Sequence, residues 1–292
     1  MEKIQSAIEK ARAARDVNLA NSTSAPLTSA PALEVVHSSA TANQRPDTAS
    51  ETASAIAAAW AALPLFEPKS ANLRNSRIVT LAGGAESVPF DVLRTKVVHQ
   101  MRANGWRRLA ITSPRPGCGK STIALNLAFG LARQREMHVI LAELDLRRPS
   151  LRSMLGVGPR LGIAQLLDGR AGFADVAQRH GEGLALALSD GPVRNPAELL
   201  HSRRIAEILA EIELRYAPDI MIFDIPPLLV SDDAMAFMGN VDAVLLIAGA
   251  ESTTVKEIDS CERELAAQTN VMGVVLNKCR YMAEEYGYDY YG

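Results

Sequence analysis

An α/β fold is predicted, with a mostly parallel sheet covered by helices on both faces. Three observations predict it. From about Arg77 onward, short runs that are apolar throughout alternate with longer stretches of helical period. A glycine-rich loop follows the first of these runs, and acidic residues close two others. Strands without polar alternation are buried on both faces, which a parallel sheet flanked by helices provides. In such sheets ligands bind beyond the carboxyl ends of the strands.

In chain order, residues 1 to about 17 read as a short amphipathic helix, with Ile4, Ala7, Ile8 and Ala11 on one face. From Ala20 to about Asn75 the chain is rich in Ala, Ser, Thr and Pro without a sustained period. That composition predicts a disordered linker, in which Trp60 and Leu63 form at most a small docking turn. The segment RRLAIT (107–112) predicts a strand, and STIALNLAFGLARQ (121–134) a buried helix. HVILAELD (138–145) and LALALS (184–189) predict strands, and 196–216 one long amphipathic helix. DIMIFDIPP (219–227) is a further strand, and 241–250, 255–268 and 271–278 give strand, helix, strand. The expected domains are therefore 1–75 (helix and linker), 76–280 (the α/β domain) and 281–292 (a flexible tail).

The gross numbers exclude little but guide the reading. A net charge of −2 over 292 residues gives no general reason to expect nucleic-acid binding. Cys118, Cys261 and Cys279 have no zinc-ligand spacing and suit a reducing compartment. The amino-terminal residues are charged throughout, unlike a signal peptide, and the apolar span 53–66 is too short to cross a bilayer. A cytoplasmic protein is expected, with any membrane role supplied by a partner.

The loop SPRPGCGKST (113–122) ends as the second half of a Walker A motif, with Pro114 where the usual pattern has its first glycine. Glycines let backbone N–H groups turn toward phosphate oxygens, and the following helix adds its positive end. Pro116, Gly117, Cys118, Gly119, Lys120, Ser121 and Thr122 are thus candidate nucleotide contacts. Lys120 would reach the β and γ phosphates, and the Ser121 hydroxyl would ligate Mg²⁺. Buried strands that end in Glu143-Leu-Asp145 and in Asp224 carry carboxylates that need a cation. Asp145 and Asp224 are candidate Mg²⁺ ligands, direct or through water. Singly, each acid has another explanation, as a helix cap or as a partner of Arg147 or Arg148. Asn277 and Lys278 follow the last strand, where they would flank the base.

Five of the six tyrosines, Tyr281, Tyr286, Tyr288, Tyr290 and Tyr291, stand in the last twelve residues, EEYGYDYYG included. They are poorly placed for burial, so the tail is an interaction strip or a set of substrates.

Together these pieces resemble the bacterial tyrosine autokinases of capsule and exopolysaccharide loci, over about Ile78 to Gly292. The matching motifs are GCGKST, the second Walker motif AELDLRRP, the Walker B motif FDIPPLL, PAELL at 196–200 and the tyrosine cluster. The first three are shared with Min and Par ATPases, whose early loop lysine is missing here, with Arg115 nearby. The resemblance implies a P-loop NTPase fold and an ATP- and Mg²⁺-dependent kinase that phosphorylates its own tail tyrosines. It implies that Glu143, where the family has Asp, takes the tyrosine proton, alongside Lys120, Asp145 and Asp224. It also implies an activating membrane chain-length regulator (a polysaccharide co-polymerase), a counteracting phosphatase and a homo-oligomer. The assembly motif E-x-x-R-x-x-R appears as Asp91-Val-Leu-Arg94-Thr-Lys96-Val97, with a shortened acid and no final Arg. A non-kinase ATP switch of the Min/Par type is the alternative.

Overall fold

Six of the seven strands follow from the apolar runs. The seven are β1 (Arg108–Thr112), β2 (Val139–Glu143), β3 (Ala177–His180), β4 (Leu184–Ala187), β5 (Ile220–Asp224), β6 (Ala243–Gly249) and β7 (Asn270–Asn277). The chain is described by a computed structural model over residues 48–280, residue 159 excepted. The expected helix over 1–17, the linker up to residue 47 and the tail from 281 lie outside the described residues. Spatial strand order is β3-β4-β2-β5-β1-β6-β7. Neighbours pair in parallel throughout, except β3, which runs antiparallel to β4.

Successive strand residues serve opposite faces. Ala110, Ala142, Phe223 and Leu246 pack on one side, against Trp60 and the helix α9 (Arg204–Tyr216). Leu109, Ile111, Leu141, Ile222 and Leu245 pack on the other, against the helices α3 (Val88–Asn104) and α4 (Lys120–Ala132). α4 is enclosed nearly all round, as its apolar sequence requires, and carries the fully buried Asn126. That amide is satisfied. Its Oδ1 accepts from the backbone N–H groups of Val79 (2.9 Å) and Thr80 (3.2 Å), and its Nδ2 donates to the carbonyls of Arg77 and Thr122, each at 2.9 Å. The polar side chain inside the core thereby fixes the path of residues 77–80.

Two expectations are corrected. The stretch 48–75, expected as linker, is folded: Thr48–Ala61 forms α1 and Ser70–Asn75 forms α2. Alanine disguises it. Alanine adds little apolar volume to a composition, yet it is the best helix former. Three large side chains then anchor the segment, Trp60, Leu63 and Phe66, all buried. The Trp60 indole N–H donates to the Tyr216 carbonyl at 2.7 Å, and its ring meets Tyr216 edge-on and His138 at 4.7 Å. The Phe66 N–H donates to Arg179, and the Arg179 N–H to Pro64, so the chain after α1 runs along β3. The packed chain thus begins upstream of residue 76. Secondly, 196–216 is two helices, α8 (Pro196–Leu200) and α9. The break at His201–Arg203 lets Leu200 and Ile205 both enter the core, and Ser202 Oγ accepts from the Arg204 N–H at 3.3 Å.

The remaining helices are α5 (Leu151–Leu155), α6 (Ile163–Leu167), α7 (Phe173–Val176), α10 (Asp233–Phe237) and α11 (Val255–Ala266). The last begins with a capping box: Thr254 Oγ1 accepts from the Glu257 N–H, and Glu257 accepts from the Thr254 N–H. Among the described residues, no helix is long and apolar enough to cross a membrane.

Trp60→Ala is expected to destabilise the protein by about 3–5 kcal/mol, the range for truncating a large buried aromatic. Urea unfolding of the full chain, followed by circular dichroism, measures it. A change below about 0.5 kcal/mol, typical of a surface site, would refute the anchoring role.

Candidate active site

Sheet order brings the functional side chains together. β1 delivers the loop 113–119, and its neighbour β5 delivers Asp224. β2, beyond β5, delivers the segment 143–150. In register, Asp224 stands beside Ile111 on one side and Glu143 on the other. The backbone continues the joint past the strand ends: the N–H groups of Leu144 and Asp145 both donate to the Asp224 carbonyl, at 2.8 and 3.0 Å. Thr112 Oγ1 donates to the Pro226 carbonyl at 2.8 Å, which holds the turn after β5 against the loop after β1.

The loop itself needs glycine twice. Gly117 and Gly119 have φ of 83° and 95°, a region that L side chains rarely adopt. A Cβ on Gly119 would also lie 2.2 Å from Asn277 Nδ2. That amide donates to the Cys118 carbonyl at 2.8 Å, so the last residue of β7 clips the loop in place. No side chain caps the N-terminus of α4, which leaves first-turn N–H groups free for phosphate oxygens.

At the start of α4, Lys120 Nζ lies 2.9 Å from Asp145 Oδ2 and 3.1 Å from Asp224 Oδ1. The Ser121 hydroxyl donates to Asp224 Oδ2 at 2.7 Å. Burial works against the charged lysine, but the carboxylates of Asp224 and Asp145 outweigh it and hold its pKa above the usual value. Burial pushes the Asp224 carboxyl up, against the pull of Lys120 and Ser121. We take the charged lysine between two carboxylates as the resting arrangement, because its ammonium is within hydrogen-bond reach of both. That leaves one negative charge in excess, and a triphosphate would add several more.

The chemistry of the donors fits Mg²⁺. Ser121, Asp145 and Asp224 offer hard oxygens only, and Mg²⁺ takes one or two carboxylates plus phosphate oxygens rather than a full protein cage. Accordingly, no group of three or more His, Cys, Asp or Glu that could hold a metal occurs among the described residues.

Above this cluster opens a cavity of ≈ 410 Å³. Of the residues expected from sequence, Pro116, Gly117, Gly119, Lys120, Ser121, Thr122 and Asp145 line it. Asp224 lies beneath, fully buried, and acts through Lys120 and Ser121. Cys118 and Asn277 are not on the lining. Cys118 turns inward, its Sγ 3.6 Å from Thr253 Oγ1, and Asn277 holds the loop from behind. Arg115 leaves the site altogether and pairs with Glu257 of α11.

Glu143 is the main departure from expectation. It is fully buried and does not line the cavity. Its Oε1 accepts from the N–H groups of Ser150 (2.6 Å) and Leu151 (2.7 Å), and Oε2 from that of Ser189 (3.0 Å). Burial pushes its pKa up more than the three amides pull it down. A carboxylate so engaged anchors the turn after β2; it is not aimed at an acceptor hydroxyl. Among the residues lining the cavity, Asp145 is the sole carboxylate.

Lys278, expected to flank the base, is on the lining; sequence reasoning did not assign Arg147, Arg148, Ser150, Pro226, Pro227, Val230 or Ser231 to it. All lie within about seven residues after a strand end, which was the available signal.

Comparisons with known proteins agree with this geometry. The family model "ParA: NUBPL iron-transfer P-loop NTPase" matches residues 106–291. Tyrosine-protein kinase YwqD of Bacillus subtilis is 30% identical over 222 residues, 75% of this chain and 92% of that one. The chain belongs to the bacterial tyrosine-protein kinases, on a ParA-type P-loop domain. The putative tyrosine-protein kinase AmsA of Erwinia amylovora is 32% identical over 199 residues. There the match spans 67% of this chain but only 27% of the relative. In structure, the kinase domain of Escherichia coli ETK superposes with a TM-score of 0.60 at 30% identity, covering 70% of this chain and 81% of that one. The chimerical protein CapA2B2 gives 0.63 at 25% identity, covering 80% and 99%. The fold is also that of the septum site-determining protein MinD of Pyrococcus horikoshii, solved with Mg-ADP, at a TM-score of 0.52, 20% identity and coverage of 61% and 72%.

Glu143→Gln leaves one acceptor oxygen for three amide donors, and is expected to cost about 1–3 kcal/mol of stability. Because the folded chain holds this proton more tightly, the wild-type contribution of Glu143 falls as pH rises above the ordinary glutamate value. Urea titrations across pH 4–7, in about half-unit steps, should show that slope flattened in Glu143→Gln. The folded variant should keep phosphotransfer within about tenfold of wild type, whereas a base removed would cost about 10²–10⁴-fold.

Proposed function

We propose that this kinase uses ATP with Mg²⁺ to phosphorylate tyrosines of its own carboxyl-terminal cluster, and that it serves surface-polysaccharide production. The single observation that carries the reading is the placement of Lys120 between Asp145 and Asp224, with Ser121 on Asp224, at the mouth of a nucleotide-sized cavity. Phosphoryl transfer is chiefly positioning and charge neutralisation. On nucleotide binding, Lys120 would exchange its carboxylate partners for phosphate oxygens. The loop amides and the first turn of α4 would hold the rest of the polyphosphate. Bound Mg²⁺, held by Ser121 and Asp145 with Asp224 orienting the Ser121 hydroxyl from beneath, would supply charge neutralisation at the β and γ phosphates.

In the transfer, the tyrosine oxygen bonds to the γ phosphorus, the bond to the ADP oxygen breaks, and the phenolic proton leaves. A phenol near pKa 10 is a poor nucleophile at neutral pH without a base or strong positioning. With Glu143 engaged elsewhere, that proton would go to Asp145, the carboxylate of the cavity lining, whose Oδ2 is freed when Lys120 turns to the phosphates and which would then meet Mg²⁺ through water. Tyr281, Tyr286, Tyr288, Tyr290 and Tyr291 are the proposed acceptors. Five phosphates would add roughly −8 to −10 charge to the tail, enough to oppose an assembly held through it.

The proposed setting follows the relatives. The putative tyrosine-protein kinase of Klebsiella pneumoniae, 33% identical over 188 residues, lies by its name in a cps region. An activating membrane co-polymerase, a counteracting phosphatase and recruitment to the inner face of the cytoplasmic membrane belong to this proposal. A second reading, an ATP-driven switch without tyrosine transfer, is favoured by the ParA match and by the engaged carboxylate of Glu143.

Incubation with Mg-ATP and phosphotyrosine mapping by mass spectrometry decides between them. Phosphate should appear on the tail tyrosines, and Lys120→Met should lower its incorporation by at least about 10²-fold. Release of inorganic phosphate with an unmodified tail would establish the switch instead.

A further inference from the structure

The cavity has two ends, and sheet order distinguishes them. The phosphate loop follows β1, with β5 and β2 on one side and β6 and β7 on the other. Lys120, Asp145 and Asp224 converge on the β5/β2 side. A triphosphate whose terminal phosphate meets that cluster points its nucleoside toward β6 and β7, where Lys278 lines the cavity. In-line displacement puts the attacking oxygen opposite the leaving one. The acceptor therefore approaches over the turns after β5 and β2.

Two features meet there. One is an apolar shelf made by Val230, 56% exposed, beside the buried Pro226 and Pro227 that also line the cavity. An exposed valine beside two prolines on a cavity rim suits an aromatic ring. The other is Arg148. Its backbone N–H donates to Asp145 Oδ1 at 3.2 Å, which fixes the residue at the site. Its side chain is exposed, and no hydrogen bond or ion pair to the guanidinium is present among the described residues. Arg147 beside it is already committed, forked onto the buried Asp233 with Nη2 2.9 Å from Oδ1. Ser231 Oγ donates to the same carboxylate at 2.9 Å. The lining thus holds one firmly paired arginine and one that is open to an incoming anion.

The chain's own tail offers such anions. Glu284 and Glu285 precede Tyr286, and Asp289 precedes Tyr290. We infer that Arg148, above the Pro226–Pro227–Val230 shelf, is a specificity-determining residue that selects acceptor tyrosines flanked by carboxylates. This inference rests on the kinase reading above, and it extends to other acidic tyrosine peptides as substrates. The guanidinium donates to the flanking carboxylate in a planar fork while the ring rests on the shelf.

Peptide kinetics with the full-length chain and Mg-ATP test it. One peptide carries the sequence EEYGYDYYG and the other QQYGYNYYG, with incorporation into each read by mass. The wild type should show a KM about tenfold lower for the acidic peptide, as expected of a charge-assisted contact. Arg148→Ala should raise KM for the acidic peptide to that of the neutral one, with kcat changed less than KM. Arg148→Lys, which keeps the charge but not the fork, should retain part of the preference. Equal KM values in the wild type, equal losses on both peptides, or a weakened ATP dissociation constant in Arg148→Ala would overturn the assignment, the last by placing Arg148 on the nucleotide. If the wild type phosphorylates neither peptide nor itself while releasing inorganic phosphate, the kinase reading fails and this inference falls with it. Both peptides phosphorylated equally would refute the selectivity alone.

Discussion

The site depends on a carboxylate placed where water cannot reach it. Asp224 ends a central strand, is fully buried, and receives both the Lys120 ammonium and the Ser121 hydroxyl. An unpaired charge there would be costly, so the interaction constrains everything around it. The loop before α4 must bring Lys120 to the tip of β5, and this requires the left-handed turns at Gly117 and Gly119. The turn after β2 must present Asp145, and it does so through amides that donate to the carbonyl of Asp224 itself. One residue thus sets the positions of three segments, with its side chain facing the helix and its backbone facing the neighbouring turn.

Glu143 and Asp145 show how two acids separated by one residue acquire opposite roles. Alternation along β2 carries Glu143 toward the amides of Ser150, Leu151 and Ser189. The chain then leaves the strand, and Asp145 emerges at the cavity. The longer side chain reaches amides on two separate turns, after β2 and after β4, and joins them. It is a brace between the strand that supplies Asp145 and the strand beside it.

Much of this was legible in the residues, and the rest was hidden for identifiable reasons. Strands β1, β2, β4, β5 and β6 were evident because burial on both faces leaves unbroken apolar runs, and β7 because its run is apolar although this edge strand stays partly exposed. β3 was not, since AQRH is a polar strand at the end of the sheet, flanked by β4 on one side and on the other only by the single bridge at Leu65. The loop glycines, Lys120, Ser121, Asp145 and Asp224 announced themselves by position after strands. The duty of Glu143 did not, because which backbone amides a carboxylate meets is settled by turns distant in sequence. The folded stretch from Thr48 was masked by its alanines, and its fate turned on Trp60 reaching the carbonyl of a residue 156 positions away. Asn277 was expected to flank the base, and it instead grips the loop backbone from outside the cavity.

That grip has a mechanical corollary. The amide of Asn277 is fastened to the Cys118 carbonyl, and Lys278, with φ of 64°, turns the chain sharply after it. Only a few residues separate this fastening from the first tyrosine of the tail. A load applied to β7 at Asn277 would therefore reach the phosphate-loop backbone through this one hydrogen bond. In this architecture the last strand and the glycine loop are one linkage, so a shift of either is felt by the other.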